Sequence, residues 1–153
     1  MRDGVRVGVD VGSVRVGVAA SDPSGILASP VTVLRRRRDL GELGELVALV
    51  AEREAIEIVV GMPRTLGDRH GAAAIAARDY AGLIAGRVAP VPVRLVDERL
   101  STVSAQRSLH ASGESIKSSR GRIDAAAAAV ILQAALDGER STGEPTGELV
   151  EVS

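Results

Sequence analysis

The sequence predicts a single α/β domain built on a mixed, five-stranded sheet with helices on both faces. Three observations support this prediction: three consecutive β-branched segments near the N-terminus, a later alternation of amphipathic and short apolar segments, and 153 residues of which 45% are apolar and 25% charged. That length and composition are typical of one compact domain. The predicted order is βββαβαβαα, with the second strand antiparallel to its neighbours.

The first three strands are expected to form a meander. Alternating valines in Val5–Val9 and Val14–Val18, separated by Gly12-Ser13, predict a strand, a tight turn and an antiparallel partner strand. The third segment, Ile26–Leu34, is β-branched but contains Pro30. Because proline cannot donate a ladder hydrogen bond, this strand should lie near the sheet edge.

Helices and strands then alternate. Helices are indicated by apolar residues at helical spacing and by Asp39 as an N-cap, whereas the strands are short apolar runs. In order, the predicted elements are a helix over 39–54, a strand over 56–60, a helix over 73–88, a strand over 93–96, and helices over about 101–112 and 122–136. We therefore assign the domain to residues 1–137.

Residues 138–153 are predicted to form an acidic, disordered tail, because they are rich in Gly, Ser, Thr, Pro and Glu. Without them the chain has 18 basic and 16 acidic residues. This slight positive charge neither proves nor excludes a nucleic-acid partner. For the basic run Arg35–Arg38, an RNA-docking site and a plain solvated loop remain equal alternatives.

Composition excludes several classes of protein. The chain has no cysteine, which rules out disulfide scaffolds, thiolate metal sites and cysteine nucleophiles, and two histidines make an all-histidine metal site a poor hypothesis. With one Tyr and no Phe or Trp, base stacking on aromatic side chains is nearly unavailable. No apolar run is long enough for a membrane span or a signal peptide, so we expect a cytoplasmic protein without membrane partners.

Acidic residues occur where the predicted topology would bring them together. Asp10 ends the first strand, Asp97-Glu98 ends the last parallel strand, and Asp124 opens the last helix. Each alone is explained by turn support, strand termination or helix N-terminal charge. Ligands of such sheets bind beyond the carboxyl ends of parallel strands, so the acids should converge. Repulsion between the converged carboxylates would require a cation to neutralise it. One or two Mg²⁺ or Mn²⁺ ions suit such an all-oxygen cluster, and the reaction that this arrangement suits is hydrolysis of phosphodiesters.

Basic residues flank the predicted acidic cluster and could bind phosphate groups. Three precede Asp124 in the chain, and three follow or begin other strands. These candidate substrate-binding residues are Arg15, Arg64, Arg99, Lys117, Arg120 and Arg122. Binding to the backbone without aromatic stacking favours a duplex or branched nucleic acid over an extended single strand.

Four ordered motifs resemble the YqgF-type family of small bacterial proteins. They are Gly8–Ala19, Val59–Pro63 followed by Gly67 and Gly71, Val96–Thr102, and Ile123–Gln133. Members of this family have a ribonuclease H-like fold and are described as Holliday-junction resolvases and as pre-16S ribosomal RNA nucleases. The resemblance covers about residues 5 to 137.

The resemblance implies a metal-dependent endonuclease in which Asp10, Glu98 and Asp124 are both catalytic and metal-binding residues. It also implies ribosome biogenesis, in particular maturation of the 5′ end of 16S rRNA, with ribosomal particles as further partners, or cleavage of four-way DNA junctions. We rank the RNA precursor first. Within Asp97-Glu98 the family pattern selects Glu98, and since strand alternation sends the two side chains to opposite faces, only one should reach the metal.

Two other classes compete with the nuclease interpretation. Asp10-Val11-Gly12-Ser13 also resembles the phosphate loop of actin-type and sugar-kinase proteins, but those proteins close two such domains around ATP and this length supplies one. A non-catalytic RNA- or ribosome-binding factor is the second.

Resolving a four-way junction needs a dimer, whereas RNA trimming needs one site, so monomer and homodimer both remain open.

Overall fold

The computed structural model describes residues 2–63, 71–97 and 120–152, with side chains from Asp124 onward in the last range. It contains a six-stranded sheet in the order β3-β2-β1-β4-β5-β6. The elements are β1 (Arg6–Val11), β2 (Arg15–Ser21), β3 (Ala28–Arg35), α1 (Gly41–Glu52), β4 (Glu57–Met62), α2 (Ala72–Val88), β5 (Val93–Asp97), α3 (Arg120–Thr142) and β6 (Glu148–Leu149). The helix predicted over 101–112 lies outside the described residues.

Strand pairing confirms the mixed sheet. β1, β2 and β3 pair antiparallel as a meander, while β1, β4 and β5 are parallel. β3 is an edge strand, as Pro30 predicts, and its pairing with β2 shifts register between Val18 and Ala19, next to that proline. Parallel β1, β4 and β5 place their carboxyl ends at one edge, which we call the carboxyl edge of the sheet.

Both faces of the sheet are covered by helices. Side chains alternate along each strand, so Val7 and Val9 of β1 lie in the cluster that includes residues of α1 and α2. Val59 and Val96 point the other way and pack against Leu132 and Ile131 of α3. Within the described ranges, no helix is long and apolar enough to span a membrane.

The approach of α3 to the sheet depends on glycine. A Cβ on Gly8 of β1 would lie 2.7 Å from the Leu132 Cβ and 2.8 Å from the Ala128 carbonyl oxygen. Both distances are too short for real atoms, so the helix axis could not sit this close over any larger residue. Gly8 therefore sets the distance between α3 and β1.

The prediction of a disordered tail from residue 138 is wrong for residues 138–149. α3 continues to Thr142, and Glu148–Leu149 adds the sixth strand, antiparallel to β5. The Thr146 hydroxyl donates a hydrogen bond of 2.8 Å to the Ala135 carbonyl, which folds the segment back onto α3. The composition of residues 138–153 indicated solvent exposure, but the contacts that order this segment are made with residues outside it, in α3 and β5.

Glu139 illustrates those distant contacts. Its side chain is buried, and Arg6, which is also buried, donates to its Oε2 at 2.8 Å. Arg2 also donates to Glu139 and to Glu57, and Arg94 donates to Glu57 at 3.2 Å. Three arginines thus pair with two buried glutamates beneath the C-terminal half of α3. Because a carboxylate loses hydration on burial, the hydrogen bonds and charges of the arginines are needed to offset the cost of burying the two glutamates.

Glu139→Gln is expected to lower the free energy of unfolding by about 2 kcal/mol, since charge-assisted hydrogen bonds become neutral ones. Burial raises the pKa of Glu139, but hydrogen bonds from Arg2, with the charges of Arg2 and Arg6, outweigh burial, so the pKa lies below its ordinary value. A carboxyl with a lowered folded pKa stabilises the protein above its unfolded pKa, and this contribution disappears as pH falls through the folded pKa.

Urea unfolding of wild type and Glu139→Gln at neutral pH and at about pH 3 measures this contribution. We expect the difference between the two proteins to shrink at the lower pH. The exposed Glu144→Gln is the matched control and should match wild type at both values. An equal difference for Glu139→Gln at both pH values would contradict this assignment.

Candidate active site

Asp10 lies at the carboxyl edge of the sheet, on the face covered by α3. It is the second-last residue of β1 and pairs directly with Gly17 of β2. Because alternate side chains share a face, Asp10 points to the same side as Gly8, which contacts α3. Its side chain is half-buried. This arrangement directs the Asp10 carboxylate toward the N-terminal part of α3.

Asp124 approaches the same place from the helix. A Cβ built on Gly17 would overlap the carbonyl oxygen of Asp124, so the backbone of α3 rests directly on β2 at this glycine. Since Gly17 is the cross-strand partner of Asp10, the two aspartates come from distant parts of the chain to one location. The predicted convergence of Asp10 and Asp124 is thereby found on one face.

Arg15 connects the helix to the turn between β1 and β2. Its Nε donates to the Asp124 Oδ2 at 2.7 Å, and both side chains are partly exposed. Arg15 lies two residues before Gly17 and therefore shares its face. A guanidinium at this position supplies positive charge to the acidic pair and leaves Arg15 accessible to a phosphate.

Asp97, the alternative to Glu98, lies on the other face. The preceding Val96 packs with α3, whereas Leu95 belongs to the cluster with α1 and α2. Asp97 alternates with Val96 and therefore points away from the face of Asp10 and Asp124. This placement argues against Asp97 as a ligand shared with those two aspartates.

The remaining predicted site residues are only partly covered by the structure. Glu98, Arg64, Arg99 and Lys117 lie outside the described residues. Arg120 and Arg122 belong to the first turns of α3, ahead of Asp124, with their side chains outside the description. Among the described residues, no group of three His, Cys, Asp or Glu side chains could hold a metal ion. Asp10 and Asp124 nevertheless offer the oxygen donors that Mg²⁺ and Mn²⁺ prefer, on one face and at one edge.

Sequence reasoning did not identify two features that shape this site. One is Gly17, whose lack of a side chain admits the α3 backbone; a glycine inside a valine-rich strand was the available signal. The other is Arg36, whose Nη1 donates to the Gly12 carbonyl at 3.1 Å. The Gly12 N–H in turn donates to the Arg15 carbonyl at 2.8 Å, which closes the turn beside Asp10.

Comparison with known proteins adds three findings. The sequence profile of the family described as "RuvX: Holliday junction resolvase" matches residues 4–138. A Nocardioides protein named "Putative pre-16S rRNA nuclease" is 53% identical over 99% of each chain. A Mycobacterium ulcerans protein of the same name is 57% identical, over 90% of this chain and 81% of its own.

A solved structure shows the fold independently of close sequence similarity. The RuvC protein of T. thermophilus, determined with a Holliday junction substrate, superimposes with a TM-score of 0.52 at 16% identity, covering 94% of this chain and 99% of its own. This likeness confirms the ribonuclease H-like class. It also agrees with the observed meander followed by parallel strands and flanking helices.

Proposed function

Because the chain belongs to the RuvX family, we propose that it is an endonuclease that hydrolyses phosphodiesters of the 16S rRNA precursor during maturation of its 5′ end. The observation that carries the proposal is the meeting of Asp10 and Asp124 on one face at the carboxyl edge. The names of the Nocardioides and Mycobacterium relatives support the choice of RNA precursor. The reaction would take place in the cytoplasm, with ribosomal particles as candidate partners.

A divalent ion fits the oxygen donors of this site. Asp10, Glu98 and Asp124 would hold one or two Mg²⁺ or Mn²⁺ ions. When bound, such ions activate water and stabilise the negative charge that develops on the phosphate. Asp97 lies on the face away from Asp10 and Asp124, which supports the choice of Glu98, made from the family motif, as the third ligand.

The basic residues would bind and orient the substrate. Arg15 is placed for this role, since it lies at the mouth of the site and is partly exposed. Phosphate oxygens accept hydrogen bonds from guanidinium groups in well-defined geometry, so these contacts would fix the scissile bond relative to the aspartates. The other residues assigned to phosphate binding are Arg64, Arg99, Lys117, Arg120 and Arg122.

The family description favours a second substrate, the four-way DNA junction. Cleavage of a junction on two strands would require two copies of the site related by symmetry, hence a homodimer. Cleavage of an RNA end would need one copy. Oligomeric state in solution, measured with and without each nucleic acid, therefore helps to separate the two substrates.

The test is a cleavage assay with Mg²⁺ or Mn²⁺ on a 16S rRNA precursor with an extended 5′ end and on a synthetic four-way DNA junction. The informative pair of variants is Glu98→Gln and Asp97→Asn, because each removes one negative charge from adjacent residues while keeping side-chain shape. We expect wild type and Asp97→Asn to cut the RNA, and Glu98→Gln to bind it without cutting.

Other outcomes would each overturn part of the proposal. Cleavage of the junction alone would replace the RNA substrate by DNA. Loss of cleavage in Asp97→Asn but not in Glu98→Gln would exchange the two acids. If neither substrate is cut at any metal concentration while RNA still binds, a ribosome-docking factor becomes the better description.

Arg15→Gln is expected to tighten Mn²⁺ binding about threefold in the absence of nucleic acid, because the guanidinium competes with the cation for the Asp124 carboxylate. The effect is small since exposed ion pairs contribute less than about 1 kcal/mol. Calorimetric titration of Mn²⁺ measures it, with Arg140→Gln, which removes an exposed arginine from the other end of α3, as control. Weaker Mn²⁺ binding in Arg15→Gln would contradict competition.

A further inference from the structure

The basic run Arg35–Arg38 lies at the same edge of the sheet as the candidate active site. Arg35 ends β3 and pairs directly with Arg15 of β2, so the two arginines share a face. Arg15 is two residues from Gly17, the partner of Asp10. From strand spacing and rise, the Cα atoms of Arg35 and Asp10 are roughly 12 Å apart.

The run is held in a defined position. The Arg36 guanidinium carbon lies 5.0 Å from the centre of the Tyr80 ring, and its Nη1 donates to the Gly12 carbonyl. The Arg37 backbone N–H donates to Glu42 Oε1 at 3.0 Å, and the Tyr80 hydroxyl donates to Oε2 at the same distance. Since Glu42 is fully buried, this network anchors the segment to α1 and α2.

Anchoring leaves much of the positive charge unneutralised. Arg35, Arg37 and Arg38 are exposed. Within the part of the chain that the structure describes, neither Arg35 nor Arg38 forms an ion pair. Against four arginines the segment has Asp39 and the buried Glu42, whose two oxygens are already hydrogen-bonded. A fixed, exposed and positively charged surface is therefore continuous with Arg15 at the candidate site.

We propose that Arg35–Arg38 binds the phosphate backbone of the RNA substrate a few nucleotides from the scissile bond. The path of the RNA runs from Asp10 and Asp124 across the first residue of β2 and the last residue of β3. This inference rests on the proposed function and adds a direction to it. The surface reads charge rather than sequence, because guanidinium contacts to phosphate carry no base information.

The experiment measures RNA binding as a function of salt in a non-cleaving Asp10→Asn background. The double variant Arg35→Ala/Arg38→Ala removes two exposed arginines from the proposed surface. Its matched control, Arg53→Ala/Arg87→Ala, removes two arginines from the C-terminal ends of α1 and α2, which lie away from the carboxyl edge of the sheet. Binding of a labelled 16S rRNA precursor is followed by fluorescence anisotropy, and thermal melting checks that both variants fold.

We expect the slope of log K against log salt to fall by about one for each arginine lost from the surface, hence by about two for Arg35→Ala/Arg38→Ala. The control should keep the wild-type slope. Equal slopes for the double variant and wild type would overturn the inference. A change seen only with a four-way DNA junction would overturn the assignment to RNA.

Failure of this inference is distinguishable from failure of the proposed function. Cleavage is assayed in parallel, with the arginine variants made in the protein that retains Asp10. If the protein with Asp10 cuts the RNA but the salt slope is unchanged by the arginine substitutions, the proposed binding surface is wrong and the nuclease proposal is unaffected. If nothing is cut but the slope falls as expected, RNA binding by the surface stands and the nuclease proposal fails.

Discussion

Asp10→Asn is expected to reduce cleavage of the substrate by about 10³-fold while leaving folding and nucleic-acid binding close to wild type. The substitution keeps the shape of the side chain and removes its charge. Metal-assisted stabilisation of a phosphoryl transition state supplies several kcal/mol, and each 1.36 kcal/mol is a factor of ten in rate. Asp10 is half-buried at the end of β1, so an amide fits there without disturbing the core.

The matched control is Asp137→Asn, which removes one exposed carboxylate from the C-terminal half of α3, where it pairs with Arg140 at 3.1 Å. Single-turnover cleavage rates, measured with saturating protein, separate chemistry from binding. Asp137→Asn should cut at the wild-type rate. A rate for Asp10→Asn within a few fold of wild type would contradict a catalytic role for this residue.

Asp10 and Asp124 should also act as a unit. If both hold the same ion, the variant Asp10→Asn/Asp124→Asn should lose little more activity than either single variant, because the second substitution finds the ion already lost. Independent roles would instead multiply the two losses. Single-turnover rates of all three variants therefore test whether the geometric convergence has a chemical consequence.

Most elements of this fold follow from local patterns. The alternating valines of β1 and β2 predict strands because alternate side chains must enter the core, and the structure places Val7, Val9, Val16 and Val18 in the same cluster. The amphipathic stripe of α1 likewise buries Leu43, Leu46 and Val50. Such patterns are readable because the physical cause, burial of one face, acts on neighbouring residues.

The end of the chain was not readable in this way. Glu139 is acidic and lies among Gly, Ser and Thr, which indicates solvent exposure when only its neighbours are considered. Its burial depends on Arg2 and Arg6, which lie more than 130 residues away in sequence. A pattern within a short window carries no information about such partners, and for the same reason the short strand β6 was missed.

The placement of Asp10 and Asp124 at one edge of the sheet was predicted from topology rather than from neighbouring residues. Asp10 lies at the end of a strand and Asp124 lies near the start of a helix, so the rule that ligands bind at the carboxyl ends of parallel strands was sufficient to expect them at one edge of the sheet. The contact of the α3 backbone with Gly17, the cross-strand partner of Asp10, was not predicted, because it depends on how closely α3 approaches β2. That distance is set by Gly17, whose importance becomes visible only with the helix in place.

Gly17→Ala is therefore expected to damage both stability and activity. An added Cβ would overlap the carbonyl oxygen and carbon of Asp124, and both are backbone atoms that cannot rotate away. The start of α3 must shift from the sheet, at a cost of about 3 kcal/mol. For a chain of this length that corresponds to a fall in Tm of roughly 10 °C. Because Asp124 moves with the helix, cleavage should fall even at temperatures where the variant is folded.

Gly44→Ala is the control that isolates close approach from the loss of a glycine. A Cβ on Gly44, in α1, meets nothing within 4 Å, so alanine should leave stability unchanged or raise it by about 0.5–1 kcal/mol. Thermal melting and single-turnover cleavage should therefore show losses in Gly17→Ala and none in Gly44→Ala, although both variants replace a glycine by alanine. If Gly17→Ala melts and cuts like Gly44→Ala, α3 does not rest on β2 at this residue, and Gly17 cannot be what brings Asp124 to Asp10.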